Sequence, residues 1–418
     1  MTVQYVVSPS SLSSLCSWKN RLAGVDENRA MLHPEERFKM LLQDEITIER
    51  IRPEQLPEVF RIWDLSFAPP YNTIHPDDYA RNQLSLLLGA VHKGKVAAVC
   101  GVINFQMRFG SSVIPCGGVA AVATHPTYRR HGLTVKLLKA TLDWLYQERY
   151  PLSCLWPFKY SFYEHYGWCA SDKQFRVTID LSAIPKVGSP SGYEEVLSEL
   201  LTNEDARLSL LSSSDLFGDN EPLPSLHREW CQMWNLSLNR APQRWRRKFS
   251  APGAKWVAFQ HSDGYMLIER SESEEETIFV REWCYLTDRA FHDGLALLSQ
   301  MDSQYQKVSY LAGEVDSLLK LGVPHDAPIL YLPGMMTRVV HPGAFEEAIG
   351  TKLSDVRIVD PTGVSNTNQG EEFDELDTIG PGELIQLVTG FFDEAPTANL
   401  QRLHKVRGSQ KAFTVEKF

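Results

Sequence analysis

Apolar positions along the chain recur at two spacings, every second residue and every third or fourth. Residues 46–51 (ITIERI) alternate apolar with polar side chains and predict a half-buried strand. Leu56, Val59, Phe60 and Trp63 share one helical face, so residues 53–68 read as a helix, and residues 79–90 read as a second one. Two long apolar runs, 95–108 and 113–124, flank a turn at 109–112 and read as a strand pair. Leu133, Leu137, Leu138, Leu142 and Leu145 then predict a helix over 131–148. A short strand at 151–156, a helical turn or two at 160–166 and a strand at 174–180 complete this first unit.

Residues 182–224 are linker-like, with a helical piece at 194–210. A second unit follows. It has a helix at 242–249, a hairpin of 256–260 with 265–270, a charged surface turn at 271–276, a strand at 278–285, a helix at 288–301 and a strand at 306–311. Beyond residue 330, strands are predicted at 332–340 and 356–359, a flexible hairpin tip at 362–375, a helix at 381–391 and helical character at 399–406. Residues 1–44 lack pattern. A flexible extension and a stretch upstream of an internal start at Met40 both stay open.

The chemistry concentrates where the run 118–123 meets Pro126 and the residues Arg129, Arg130, His131 and Gly132 precede the helix. A helix start offers unpaired N–H groups and the positive end of its dipole, which suits a diphosphate. Gly132 lets a phosphate approach the backbone, and the arginines add charge-assisted bonds. An ordinary strand-to-helix turn has the same outline. The spacing is neither G-x-x-x-x-G-K-[ST] nor G-x-G-x-x-G, which excludes a P-loop and argues against a dinucleotide fold. Downstream, Phe162, Tyr163, Tyr166, Gly167 and Trp168 form an aromatic cluster. Such clusters are usually core. A phenol there can also act as a proton donor, with Tyr160, Tyr163 and Tyr166 as candidates. Among the histidines, His125, His131 and His165, one in the turn can assist phosphate binding, and a histidine base stays open.

Composition narrows the partners. The formal net charge of −10 argues against bulk binding of nucleic acid and suits a cationic or amine-bearing partner. Seven cysteines without a C-x-x-C pair or zinc spacing read as reduced thiols of a cytoplasmic protein, with no metal. No apolar run reaches the roughly 18 residues of a membrane span, and no basic segment followed by an apolar core marks a secretory signal.

Arg129-Arg-His-Gly132-Leu-Thr134 resembles the acetyl-CoA loop of the GNAT acetyltransferases, Q/R-x-x-G-x-G/A, with Thr134 in place of Gly or Ala. Together with FYEHYGW at 162–168, WRRKF at 245–249, DGYMLIER at 263–270 and the terminal Phe418, it resembles the enhanced intracellular survival (Eis) family over about residues 45–418. The resemblance implies tandem mixed α/β (α+β) GNAT folds at 45–185 and 186–322, the second without coenzyme. It implies a sterol-carrier-protein-like α/β domain at 323–418. It implies that acetyl-CoA, as acyl donor, lies against Val122, Ala123 and Thr124. The diphosphate would rest on Arg129, Arg130, His131, Gly132, Leu133, Thr134 and Val135, with Phe158 and Lys159 near the coenzyme. Tyr163 would be the general acid and the Phe418 α-carboxylate the general base. An N-acetyltransferase for a primary amine follows, as a trimer or hexamer. The alternatives are a protein lysine or polyamine as acceptor, or a scaffold with a decayed GNAT unit. Thr134, Lys159 and Thr124 depart from the family pattern.

Overall fold

The computed structural model describes residues 45–67, 84–184, 192–196, 217–218, 220–250, 256–269, 276–313, 327–353, 356–367, 377–389, 391 and 412–413. The first elements are β1 (Ile46–Arg50), α1 (Leu56–Asp64), β2 (Leu86–His92), β3 (Lys95–Phe109), β4 (Ser112–Thr124), α2 (Leu133–Gln147), β5 (Leu152–Leu155), α3 (Tyr160–Glu164), β6 (Cys169–Ala170) and β7 (Lys173–Asp180). The second group is β8 (Glu194–Glu195), α4 (Pro222–Cys231), β9 (Leu238–Asn239), α5 (Pro242–Ser250), β10 (Trp256–His261), β11 (Gly264–Glu269), β12 (Thr277–Tyr285), α6 (Asp288–Ser299) and β13 (Lys307–Ala312). Last come β14 (Ile329–Pro333), β15 (Met336–Val339), α7 (Pro342–Ile349), β16 (Val356–Ile358), β17 (Asp377–Ile379) and α8 (Pro381–Thr389).

These strands form two mixed sheets. The first has the order β1-β2-β3-β4-β5-β15-β6, with β9 added to the far arm of β3. The second runs β14-β7-β13-β12-β11-β10-β8. In each, a meander leads to a parallel pair bridged by a helix: β4 with β5 across α2, and β12 with β13 across α6. Helix α2 forms because five leucines recur on one side and bury themselves against the first sheet. Each contributes about 2 kcal/mol of gross burial.

The chain exchanges strands between the sheets. It leaves the first sheet at Ser171 and Asp172 to make β7, and returns at Gly334 and Met335 to make β15. The two crossings lie side by side, since Ser171 N donates to Met335 O at 3.0 Å and Gly334 N to Asp172 O at 3.3 Å. A Cβ at Gly334 would collide with the Asp172 carboxylate. The single strand expected at 332–340 is therefore two, broken at Gly334 and Met335. The boundaries expected near 185 and 322 do not separate the sheets: β7 and β14 belong to the second, and β15 to the first. Nor do the described residues of 323–418 form a core cluster of their own. Phe345, Val356, Leu384, Ile385 and Val388 share one cluster with Phe105, Met107 and Leu152 of β3 and β5.

Other expectations also shift. The helix expected at 79–90 is replaced, from Leu86 on, by β2, which pairs with β3 around Lys93 (φ 50°) and Gly94 (φ 77°). A short buried apolar run fits either element by period, and the left-handed turn decides for a hairpin. The helical piece at 194–210 begins instead as β8, pairing with β10. The tip at 362–375 does not join a hairpin, because β16 and β17 pair in parallel. The charged turn at 271–275, the segment 399–406 and the extension 1–44 lie outside the described residues.

Candidate active site

The cleft begins with a bulge. Val99 pairs with Ala123 but Gly101 with Ala120, so Ala121 and Val122 together face Cys100. Ala121 adopts φ 55°, and its carbonyl accepts the indole N–H of buried Trp63 at 2.9 Å. The bulge re-aims β4 away from its parallel neighbour. Those two strands pair only at Cys116–Gly118 with Leu152–Cys154. Beyond Gly118, β4 has no strand beside it on that edge among the described residues. Its backbone groups there are open to an extended, amide-bearing ligand.

At the far end of the open edge lies the arginine turn. His125 N donates to Ala97 O, and His125 Nδ1 lies 2.8 Å from Thr127 Oγ1. Arg130 (φ 66°) and Gly132 (φ 72°) are both left-handed, and α2 starts with no side chain capping its first N–H groups. Arg129 and Arg130 are exposed, and Arg129 Nε donates to Thr124 O at 3.3 Å. Thr134, the departure from the loop pattern, has its hydroxyl 3.2 Å from that of Thr124. It ties the strand's end to the helix's start. The fold thus gathers Val122, Ala123, Thr124 and Arg129 through Val135 around one strand end and one helix N-terminus. Those groups can hold an anion.

Helix α3 follows β5. Phe158, 74% exposed, and exposed Lys159 lead into it. Tyr163 is 3% exposed, packed edge-to-face on Phe158 (5.4 Å), Phe162 (5.1 Å) and Trp168 (6.2 Å). Burial, aided by the nearby Cys100 thiol, pushes its phenol well above the ordinary value. Cys100 is the residue opposite the bulge, which sets Tyr163 beside the opening in the sheet. A phenol whose ionisation is this costly keeps its proton at neutral pH and can donate to a developing anion. Its competitors differ. Tyr160 donates its hydroxyl to Gly334 O at 2.7 Å, and Tyr166 packs half-buried on Phe162 at 5.3 Å.

Phe418 lies outside the described residues. The tail is fixed a little before it. Phe413 is buried between Trp230 (5.6 Å) and Trp234 (5.3 Å), and its N–H donates to Asn235 O at 3.0 Å. Arg338 and Asp360, unremarked in the sequence, brace the turn after Tyr163. A signal was available: Arg338 is the one charge in the short strand Met336-Thr337-Arg338-Val339.

The second unit lacks an anion site at the corresponding helix. Helix α6 is capped by its own Thr287, whose Oγ1 accepts from Ala290 N at 3.2 Å, and carries Asp288 in its first turn. A carboxylate at the positive end of a helix repels a phosphate.

Residues 47–170 match the family model described as an acetyltransferase (GNAT) domain, and residues 236–339 match a second model of the same description. No curated protein matches the chain. Among solved structures, the fold is similar to a probable N-acyltransferase of Enterococcus faecalis V583 (18% identity, 89% of this chain and 100% of that chain covered, TM-score 0.70). It is similar to a GCN5-related N-acetyltransferase of Anabaena variabilis (17% identity, 89% and 100%, TM-score 0.68). It is also similar to Eis1 of Mycobacterium abscessus (15% identity, 89% and 100%, TM-score 0.64). With an open β4 edge, an arginine turn and two matched domains, the chain is an acyltransferase built from tandem GNAT folds.

Proposed function

We propose that the protein transfers an acetyl group from acetyl-CoA to a primary amine by direct attack, in the manner of the Eis family. The observation that supports this is the uncapped arginine turn at the end of the β4 edge that β5 leaves unpaired beyond Gly118, in the same unit as the buried Tyr163 phenol. The diphosphate rests on Arg129, Arg130 and the N–H groups from Gly132 to Val135. The pantetheine amides pair with Val122 to Thr124, and Phe158 and Lys159 flank the coenzyme. His131 lies in the same turn.

In the transfer, the amine nitrogen bonds to the thioester carbonyl carbon and the C–S bond breaks. The sulfur takes the Tyr163 proton and leaves as the free thiol, while the nitrogen, now cationic, sheds its second proton to solvent as the amide forms, and a proton from solvent restores the Tyr163 phenol. An alkylammonium with a value near 10.4 must first lose a proton, which goes to the α-carboxylate of Phe418. That role for the terminal carboxylate is carried by the resemblance to the Eis family. Among the described residues, five buried free cysteines fit a reducing, cytoplasmic setting. Assembly as a homo-oligomer is carried by the resemblance alone. For residues 323–418, the sterol-carrier likeness is carried by the resemblance alone, and the described apolar residues there pack on β3 and β5.

The test is thiol release with acetyl-CoA and a panel of primary amines. Tyr163→Phe lowers turnover by roughly 100-fold or more with coenzyme binding kept. Extending the tail past Phe418 abolishes turnover. Unchanged rates in either variant remove the corresponding role.

A further inference from the structure

Arg338 is fully buried in β15, the strand that returns from the second sheet. Its guanidinium donates to the Tyr166 carbonyl, to Asp360 Oδ2 and, at 2.9 Å, to Ser365 Oγ. It also sits over the Trp168 ring, 5.2 Å from the centroid. Asp360 is fixed in turn by Thr362 N (2.9 Å), Thr362 Oγ1 (2.8 Å) and Ser365 N (2.8 Å). What Arg338 grips is the turn that ends α3. Tyr166 N and Trp168 N both donate to Tyr163 O, at 2.9 and 3.3 Å. The Trp168 ring lies edge-on to the Tyr163 ring. One side of Trp168 thus meets the guanidinium and another meets the phenol.

The turn has no slack. Gly167 is left-handed (φ 80°), and a Cβ there would lie 2.8 Å from Pro381 Cγ and 3.1 Å from Arg338 Nη1. A Cβ on Gly382 would lie 2.6 Å from both Cys169 N and Gly167 O. Gln386 of α8 donates to Ala170 O at 2.6 Å. The segment holding Asp360, Ser365, Pro381 and Gln386 is the same one whose described apolar residues pack on β3 and β5.

We propose that Arg338, anchored by Asp360, is a positioning residue for Tyr163, a role that rests on Tyr163 being the acid. A guanidinium fork fixes a carbonyl and a ring plane at once, which a hydrophobic side chain does not. Displacing the phenol by about 1 Å costs roughly 100-fold in rate.

The experiment is a double-mutant cycle on the full chain, with acetyl-CoA and a primary-amine panel. Arg338→Met lowers kcat roughly 100-fold. KM for acetyl-CoA stays within about twofold, because the arginine turn is untouched. In a Tyr163→Phe background the same substitution costs less than about threefold, since the group it positions is already gone. Should Arg338→Met fail to fold, Asp360→Asn carries the same cycle. Equal losses in both backgrounds, or a KM effect with kcat unchanged, overturn the positioning role and leave Tyr163 as acid. A Tyr163→Phe enzyme of unchanged turnover removes the acid and the positioning role together.

Discussion

Replacing Gly132 by alanine separates backbone strain from ligand contact. Gly132 holds φ 72°, and a Cβ built there meets nothing within 4 Å. Folding therefore loses only the left-handed penalty of about 1–2 kcal/mol. Gly110, at φ 56° in the β3–β4 turn, has the same open surroundings, so Gly110→Ala carries the same strain far from the arginine turn. Both variants should melt a few degrees lower and by similar amounts. Acetyl-CoA binding should divide them. A phosphate over the α2 N-terminus occupies the space the new methyl enters, lengthening charge-assisted bonds worth about 1.5–3 kcal/mol each. Titration calorimetry should then show Kd rising roughly 10- to 100-fold for Gly132→Ala and staying within about twofold for Gly110→Ala. Equal affinities in the two variants would refute the placement of the diphosphate on this turn.

Trp63→Phe should remove the donor to Ala121 O, lower stability by about 1–2 kcal/mol in urea and weaken acetyl-CoA binding as the bulge relaxes; unchanged affinity would detach the bulge from the coenzyme. Acid unfolding should reveal Glu282. Burial alone would raise its carboxyl, but Arg240 foremost, then Lys248 and His227, hold it at about 2, beneath the ordinary 4.5. A value depressed by folding stabilises the protein fully above about pH 4.5 and loses that contribution as pH falls toward 2, about 3 kcal/mol in all. Glu282→Gln should flatten this part of the pH–stability curve, and an unaltered slope would count against it.

How far the sequence reached follows from what its patterns encode. Period and turn chemistry located β3, β4, α2 and β12, because amphipathic spacing fixes which side chains meet a core. The arginine turn was legible because Gly132 and its neighbours are local in the chain. Leu86–His92 was misread because a buried strand and a buried helix share the same run of leucines. The exchange of β7 and β15 left no local trace, since pairing across 160 residues is decided by register and not by composition. Arg338 and Asp360 are 22 residues apart in sequence, and their meeting depends on that exchange.

Because β6 pairs with β15 alone among the described residues, the half of the molecule bearing Tyr163 stays incomplete during synthesis until residue 339 has left the ribosome. A truncated polypeptide ending near residue 185 would expose the sides of β5 and β6 as bare edges, with an aggregation-prone gap where the missing segment belongs. A half cut out of this chain should therefore lack stable activity. Nascent-chain protease protection should rise abruptly for the N-terminal half only once that late strand emerges.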